Sequence, residues 1–168
     1  MKKTIISLTT FCLLLIGQFA FAQTSKDSSE LQKLAENTII YFYKGDMYSF
    51  GNLFSSDATF ITVTGVVAKG KNQIVDMHKK WKIDSATIVK YKQPMIKFVT
   101  KDIAVLYIVW DGLVFGEGQA KGIVQSGYLT IVSQRLEKLW KIISATNALN
   151  FTGRKNFDLT LYTSTSNN

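Results

Sequence analysis

The sequence predicts a single α+β domain in which helices close one face of a curved, mainly antiparallel sheet. Apolar residues before position 83 recur mainly at helical spacing, whereas four long runs rich in β-branched and aromatic residues follow from position 87 onwards. The connections between these runs are short, so consecutive runs should pair as an antiparallel meander. Helices first and strands afterwards is an order typical of α+β domains.

The first residues predict export. Lys2 and Lys3 precede an apolar stretch from Ile5 to Ile16, and Ala20-Phe21-Ala22 has the small-x-small pattern of a cleavage site. This layout is typical of a secretory signal peptide, so we expect cleavage after Ala22 and a secreted or periplasmic protein. An uncleaved anchor is the alternative, but the stretch is marginal for a spanning helix of about 20 apolar residues. We therefore expect no membrane partner after removal of residues 1–22.

The mature composition excludes several function classes. Cys12 is the only cysteine and would leave with the signal peptide, which excludes a disulfide, a thiol nucleophile and a thiolate metal site. The net charge of +8 would fall to +6 with the loss of Lys2 and Lys3. Only Arg135 and Arg154 are arginines, and nucleic-acid recognition favours arginine, so we expect no nucleic-acid partner.

The first predicted helix begins at a capping-box pattern, with Glu30 three residues after Asp27. The residues that then recur at helical spacing form one mostly apolar stripe: Leu31, Leu34, Ala35, Thr38, Ile39 and Phe42. Gly45 is a typical helix stop. The helix should therefore pack this stripe against the sheet.

A second, short helix is predicted after Asp46, which is a typical N-cap residue. It should bury Met47, Phe50, Leu53 and Phe54. A turn is then predicted at residues 55–57 and a strand at Ala58–Val63. The glycines at 65 and 70 predict that the chain reverses direction after this strand. A third helix is predicted from about Asn72 to Lys82.

The strand-like runs are Thr87–Thr100, Ile103–Phe115, Gly122–Gln134 and Trp140–Phe151. Pro94 lies inside the first run and predicts an edge position or a bulge. The eight residues from Ile103 to Trp110 are all apolar, so both faces of that strand need cover. One face of this strand can pack against the helices. The other face needs a partner surface, so we expect a homodimer through the outer face of the sheet. Residues 152–168 form a mostly polar tail.

Several short motifs together resemble a known family. Gly45-Asp46, Asp57-Ala58-Thr59-Phe60, Gly70-Lys71 and the stretch from Ile74 to His78 resemble the SnoaL-like branch of the nuclear transport factor 2-like superfamily, especially its SgcJ/EcaC-type proteins. The runs DIAVLYIVW and WKIISATNALN extend the resemblance to residues 31–150. It implies a SnoaL-like domain at 23–151, built as a cone of three N-terminal helices on a curved sheet, with a mostly apolar pocket. This fold hosts enzymes and non-catalytic modules alike, so the resemblance implies the fold more strongly than an activity.

The resemblance also allows known chemistries of the superfamily to be tested on this chain. Ketosteroid isomerases place an aspartate base and a tyrosine donor at positions that match Thr62 and Thr38. A threonine hydroxyl near neutral pH serves neither purpose, so that activity is not expected. Scytalone-dehydratase-like sites need more than one histidine, and His78 is the only one. No ligand spacing for a metal and no dinucleotide or phosphate motif is recognisable, so we expect no metal and no cofactor.

A pocket with a few polar groups is what remains. Ile74, His78 and Trp81 fall on one helical face, and Trp110 alternates with apolar residues along its strand. On the last strand, Thr146 should share a face with Ser144 and Ile142, followed by Asn147. The candidate ligand-binding residues are Thr38, Thr62, His78, Trp81, Trp110, Thr146 and Asn147, and His78 is the candidate catalytic residue.

Two functions remain open. The first is binding of a small, largely apolar molecule in the cone, with or without weak acid–base chemistry at His78. The second is a non-catalytic dimerisation or scaffold module whose pocket is filled by its own side chains. A cavity of about 300 Å³ or more, lined by His78 and the tryptophans, would favour the first, and a closed core would favour the second.

Overall fold

The computed structural model describes residues 25–84, 87–118 and 121–150. The predicted signal peptide at 1–22 and the predicted polar tail at 152–168 lie outside these ranges. The described chain forms helices α1 at 25–44, α2 Met47–Asn52 and α3 Lys71–Lys79. Its strands are β1 Phe54–Ile61, β2 Val67–Lys69, β3 Lys90–Tyr91, β4 Met95–Thr100, β5 Ile103–Val114, β6 Val124–Leu136 and β7 Leu139–Leu149.

The strands form one sheet, in the order β2-β1-β7-β6-β5-β3, with β4 also paired to β5. All pairings are antiparallel except that of β1 with β7, which is parallel. The long strands β5, β6 and β7 form the predicted meander. The predicted α+β cone, with helices packed on a curved and mainly antiparallel sheet, is therefore confirmed.

The start of α1 differs from the prediction. Residues 25 and 26 are already helical, so Asp27 lies inside the helix rather than at its cap. The Asp27 side chain is instead buried, and its carboxylate lies 2.5 Å from Nη2 of Arg135 at the far end of β6. The helix ends as predicted at Gly45, whose φ of +71° is readily adopted by glycine.

The predicted turn at 55–57 is wrong, because β1 already begins at Phe54. Two observations explain the extended backbone there. Phe54 and Ala58 are buried in the core, and Phe54 pairs with Ile142 of β7. The polar residues between them satisfy one another, since Ser55 Oγ donates to Asp57 Oδ1 at 2.8 Å. Packing and pairing with a distant strand thus override the local preference of serine and aspartate for turns.

The first predicted long strand is divided into β3 and β4, with Pro94 in the gap between them. Both pieces pair with β5 at the edge of the sheet, which is where proline is tolerated. In β5, Gly112 is an extra residue between Asp111 and Leu113. Its φ is +86°, and an added Cβ would lie 2.5 Å from the carbonyl oxygen of Ile88. This bulge bends β5 and brings the 87–91 segment against it.

A second irregularity changes the face that β7 presents to the core. Val132 pairs with Ser144, whereas the next residue, Ser133, pairs with Ile142, so Ile143 is the extra residue of a bulge. The alternation of side chains therefore changes phase after Ile142. Ala145 and Leu149 are buried and Thr146 is exposed.

The core lies between the inner face of the sheet and the three helices. It includes Leu31 and Leu34 of α1, Phe50 of α2, Ile74 of α3, and the alternating inward residues of β5 and β6. Within the described ranges, no helix is both long enough and apolar enough to span a bilayer. Towards the C-terminal ends of α1 and α3 the core leaves two spaces, which form the candidate site.

Candidate functional site

A small cavity lies between α1, α3 and the inner face of the sheet. Its lining is mostly apolar and aromatic, with four side chains that carry polar groups, Thr38, Tyr43, His78 and Asn147. The apolar walls include Phe42, Phe60, Trp81, Trp110, Leu113 and Leu129. Its volume is about 40 Å³, room for a few water molecules, and far below the volume of about 300 Å³ expected for a ligand pocket. The interior lined by both tryptophans is therefore nearly filled by its own side chains.

A second, larger space lies beside this cavity, where α1 and α3 end. We call it the mouth groove, and its volume is about 300 Å³. It is lined by Phe42, Tyr43, Lys44, Gly45, Met47, His78, Lys79, Trp81, Lys82 and Ile83. Four side chains line both spaces: Phe42, Tyr43, His78 and Trp81. The groove and the cavity are thus adjacent and share these four side chains.

His78 lies at the centre of an aromatic cluster. Four rings have centroids close to that of its imidazole: Phe60 at 4.6 Å, Phe50 at 4.8 Å, Trp81 at 5.2 Å and Phe42 at 5.3 Å. The helical spacing that places His78 above Ile74 points it into this cluster, and only 3% of the residue is exposed. The predicted inward orientation of His78 is therefore found.

The hydrogen bonding of His78 fixes its tautomer. Nδ1 lies 2.7 Å from the carbonyl oxygen of Ile74, and since a carbonyl only accepts, Nδ1 carries the proton. Within the described part of the chain Nε2 has no hydrogen-bonding partner, so its lone pair remains available. Burial among the rings lowers the pKa of His78 to about 4, against the smaller opposing effect of the bond to Ile74. The imidazole is therefore neutral near pH 7, an acceptor at Nε2 and only a weak base.

Asn147 provides the complementary polar group. Its Oδ1 accepts a hydrogen bond from Trp110 Nε1 at 3.0 Å. Because the indole N–H only donates, this bond fixes the orientation of the amide and leaves the Nδ2 hydrogens of Asn147 unused among the described residues. The indole of Trp110 packs directly over Gly127 on the next strand. A Cβ at this position would lie 2.6 Å from the ring, so the close approach requires glycine. The cavity thus presents one acceptor, from His78, and one donor, from Asn147.

The other hydroxyl groups near the cavity are already paired. Thr38 Oγ1 donates to the carbonyl oxygen of Leu34 at 2.8 Å, one turn back in α1. The phenol of Tyr43 donates to the carbonyl oxygen of Thr87 and ties the end of α1 to the segment before β3. Neither hydroxyl can donate to a ligand without breaking its present bond. They shape the site rather than supply a reactive group.

Two of the sequence-predicted residues lie elsewhere. Thr62 is buried in the turn after β1, where its Oγ1 accepts from the backbone N–H of Val66 at 3.1 Å. Thr146 is exposed on the outer face of the sheet, because the bulge at Ile143 changes the phase of β7. The expectation that both face the pocket is corrected. The remaining predicted residues, Thr38, His78, Trp81, Trp110 and Asn147, all line the cavity.

Sequence reasoning missed the residues at the end of α1. Phe42 and Tyr43 line both spaces, and Lys44 lines the mouth groove. The signal that could have found them is their position in the last turn before Gly45, since a helix end over the open end of a sheet borders any entrance to the interior. Across the described residues, no cluster of histidine, cysteine or carboxylate side chains is suited to hold a metal ion.

The likeness of this chain to known proteins lies in its fold. No protein-family model matches the sequence, and no curated protein matches it. Among solved structures, a hexachlorocyclohexane dehydrochlorinase from Novosphingobium barchaimii superposes with a TM-score of 0.66 at 17% identity, over 77% of this chain and 90% of that one. A ketosteroid isomerase-like protein from Erwinia carotovora atroseptica superposes with a TM-score of 0.61 at 12% identity, over 72% of this chain and 94% of that one.

A third solved structure names the fold directly. It is a nuclear transport factor 2-like protein of unknown function from Shewanella oneidensis, with a TM-score of 0.57 at 14% identity, over 73% of this chain and 98% of that one. The chain therefore has the nuclear transport factor 2-like cone fold, as the sequence motifs implied.

Proposed function

We propose that this protein binds a small, largely apolar molecule at the wide end of the cone, where the mouth groove meets His78. The observation that carries this is the state of the imidazole: Nδ1 is held by Ile74, while Nε2 has no partner among the described residues and the ring lines both spaces. Nε2 is not itself fully buried, and a hydrogen bond from a ligand donor would contribute about 0.5–1.5 kcal/mol.

The composition of the site supports an apolar ligand. The walls of the cavity are mostly aromatic and aliphatic, and a few oriented polar groups among such walls are usual in small-molecule sites. The groove adds the apolar side chains of Met47 and Ile83 beside its lysines. Hexachlorocyclohexane, the compound named for one structural neighbour, is itself small and apolar. The groove has the volume of a small-ligand site, whereas the interior cavity would admit only a small group of the ligand.

We propose His78 as a binding residue rather than a catalyst. With a pKa lowered to about 4, its neutral form is a poor base for a carbon acid near pH 7, and its protonated form is scarce there. No carboxylate lines either space among the described residues, so no carboxylate base is present beside it there. The earlier option of weak acid–base chemistry at His78 is testable by the same variants.

We also propose that the protein is exported and cleaved after Ala22, and that it is an SgcJ/EcaC-type member of the SnoaL-like branch. The first proposal is supported by the charge, apolar stretch and cleavage pattern of residues 1–22. The second is supported by the motifs around Gly45 and His78. N-terminal sequencing of protein from the periplasm or medium of its own host should begin at Gln23.

Binding is tested on protein purified from its own host by native mass spectrometry, which should reveal a bound small molecule released on denaturation. His78→Phe keeps a ring but removes the acceptor, and we expect it to lose the ligand while remaining folded. Thr62→Val is the matched control, since it alters a buried polar residue outside both spaces. Retention of the ligand by His78→Phe, or its absence from the wild-type protein, would contradict the proposal.

The second candidate function, a non-catalytic scaffold module, is favoured by the interior volume of about 40 Å³. An interior this small is nearly the closed core that such a module requires. Apolar probes would then fail to bind the wild-type protein and would bind only Trp110→Ala, whose truncation enlarges the cavity. Binding by the variant alone would identify the wild-type interior as closed.

A further inference from the structure

The charged side chains that line the mouth groove are all lysines. Its lining includes Lys44 from the end of α1, Lys79 from the last turn of α3, and Lys82 just beyond α3. Neither the groove nor the adjoining cavity is lined by an aspartate or glutamate of the described chain. Three lysines thus line a space that is also lined by Phe42, Met47 and other apolar side chains.

Of the carboxylates nearest along the chain, Asp46, Asp76 and Asp84, only Asp76 forms an ion pair with a groove lysine in the described ranges. Asp76 lies 3.6 Å from Lys79, in an exposed pair that contributes little. Asp46 accepts the backbone N–H of Ser49 at 3.0 Å as the N-cap of α2, and hydrogen bonding with the side chain and backbone of Ser49 lowers the pKa of Asp46. Lys44 and Lys82 make no ion pair within the described ranges. They are the two cations of the groove that remain available to a ligand.

Helix ends give a partial structural reason for these lysines. A cation near a helix C-terminus interacts favourably with the carbonyl groups there, which applies to Lys44 in α1 and Lys79 in α3. Lys82 lies three residues beyond the end of α3 and gains little from that effect, which fades within one turn. The helix end therefore does not account for the position of Lys82, which is exposed to solvent.

We propose that the ligand is an amphipathic monocarboxylate, whose head group lies between Lys44 and Lys82 and whose apolar body extends along Phe42 and Trp81 towards His78. This inference rests on the proposed function and adds the charge of the ligand to it. An anion near two ammonium groups in a partly enclosed groove is favoured by long-range attraction and by direct charge-assisted hydrogen bonds. A neutral molecule of the same shape would gain neither.

The probes are decanoate and decan-1-ol, which share a chain length and differ in head-group charge. Binding of each to the full chain is measured by isothermal titration calorimetry at low salt and again at about 0.5 M salt, where exposed charges are screened. We expect decanoate to bind about tenfold more tightly than decan-1-ol at low salt, and this preference to shrink to about threefold or less at high salt.

The test variant is Lys44→Gln/Lys82→Gln, and the matched control is Lys90→Gln/Lys97→Gln, which removes the same charge from exposed positions on β3 and β4. We expect the groove variant to weaken decanoate binding about threefold to tenfold and to leave decan-1-ol unchanged. The control should change either affinity by less than about twofold. Thermal unfolding of each variant establishes that the fold is retained.

The outcomes separate the two proposals. Equal affinity of the wild-type protein for decanoate and decan-1-ol would overturn the anionic head group while leaving apolar binding intact. The same would follow if the control variant weakened decanoate binding as much as the groove variant, since net charge alone would then be the cause. Binding of neither probe would overturn this inference together with the proposed function.

Discussion

Nδ1 of His78 donates to the carbonyl oxygen of Ile74 over 2.7 Å, one helical turn earlier in α3. This bond fixes which nitrogen carries the proton, and the surrounding rings keep the imidazole neutral. The pKa of His78 is lowered from an ordinary 6.5 to about 4 by burial. Protonation of this residue therefore opposes folding, and stability should depend on pH.

The first prediction is a loss of stability on acidification that depends on His78. Above about pH 6.5, His78 is neutral in both states and the free energy of unfolding does not depend on it. As the pH falls from about 6.5 to about 4, only the unfolded state takes up the proton, so stability falls by on the order of 3 kcal/mol. Urea unfolding at pH 7, 5.5 and 4.5 measures this slope.

His78→Phe should flatten that slope, since His78 is the only histidine of the chain and carboxylates titrate mainly below pH 5. The variant should be at least as stable as the wild type at pH 4.5, even if it is less stable at pH 7. An unchanged slope between pH 6.5 and 5 in the variant would show that the imidazole is not buried in its neutral form.

The second prediction concerns the clamp between α1 and the end of the sheet. Arg135 lies 2.5 Å from the buried Asp27, and its guanidinium stacks 4.6 Å above the ring of Trp140. Trp140 Nε1 in turn donates to Asp27 at 3.4 Å. Arg135→Ala would leave a buried carboxylate without its cation, and should lower the free energy of unfolding by about 2–4 kcal/mol.

Lys101→Ala is the control for that experiment, because its ion pair with Asp102 is exposed and should contribute less than about 0.5 kcal/mol. Chemical denaturation of both variants at pH 7 provides the comparison. A loss for Arg135→Ala no larger than for Lys101→Ala would mean that the clamp adds nothing to stability.

Particular residues show how far the sequence predicts the fold and the candidate site. Helical spacing placed His78 and Trp81 together, and strand alternation placed Trp110 inward, because both periodicities are local and unbroken there. Thr146 was misplaced because its orientation depends on the bulge at Ile143, and one extra residue reverses every later side chain. Nothing in the local sequence of β7 marks that position.

Long-range pairing was invisible for a related reason. Asp27 has the sequence context of a helix cap, yet its partners Arg135 and Trp140 lie more than 100 residues away. Only the assembled fold brings the start of α1 to the hairpin between β6 and β7. The small volume of the interior cavity likewise depends on how the side chains pack around His78. The spacing of apolar residues along the sequence does not predict that packing.

The third prediction concerns Ser133, which is fully buried on the inner face of β6. Its Oγ has no hydrogen-bonding partner among the described residues. Removal of an unpaired buried hydroxyl eliminates an unfavourable desolvation, so Ser133→Ala should leave the free energy of unfolding unchanged or raise it by up to about 1 kcal/mol. Ser55→Ala is the contrasting variant, because Ser55 Oγ donates to Asp57 at 2.8 Å and its loss should destabilise by about 0.5–1.5 kcal/mol. Equal losses for the two variants in urea unfolding would contradict this assignment.

The fourth prediction concerns Gly127, over which Trp110 packs. A Cβ at this position would lie 2.3 Å from the carbonyl oxygen of Ala148 and 2.6 Å from the indole. Gly127→Ala should therefore displace Trp110, weaken its bond to Asn147 and destabilise the protein by about 1–3 kcal/mol. Gly116→Ala is the control, since its Cβ would meet nothing closer than 3.7 Å. Near-ultraviolet circular dichroism should change for the first variant alone, and an unaltered spectrum for Gly127→Ala would show that the indole does not depend on this close approach.

The last prediction concerns the outer face of the sheet, which carries exposed apolar residues. Met95 pairs with Tyr107, and Val109 pairs with Tyr128, so their side chains form neighbouring rows across β4, β5 and β6. Met95 is 66% exposed, Tyr107 41% and Tyr128 47%. A contiguous apolar surface of this kind is typical of an interface, and we propose that it pairs with a second copy of the chain.

Sedimentation at micromolar concentration should therefore show two chains, with an interface that buries about 800 Å² per partner. Tyr107→Lys/Tyr128→Lys places two charges at the centre of the surface and should shift the protein to a monomer without loss of thermal stability beyond that caused by dissociation. Tyr48→Lys, at an 81% exposed position on α2, is the control and should remain dimeric. A wild-type protein that is monomeric up to about 100 μM would contradict a dimer with a Kd below about that concentration.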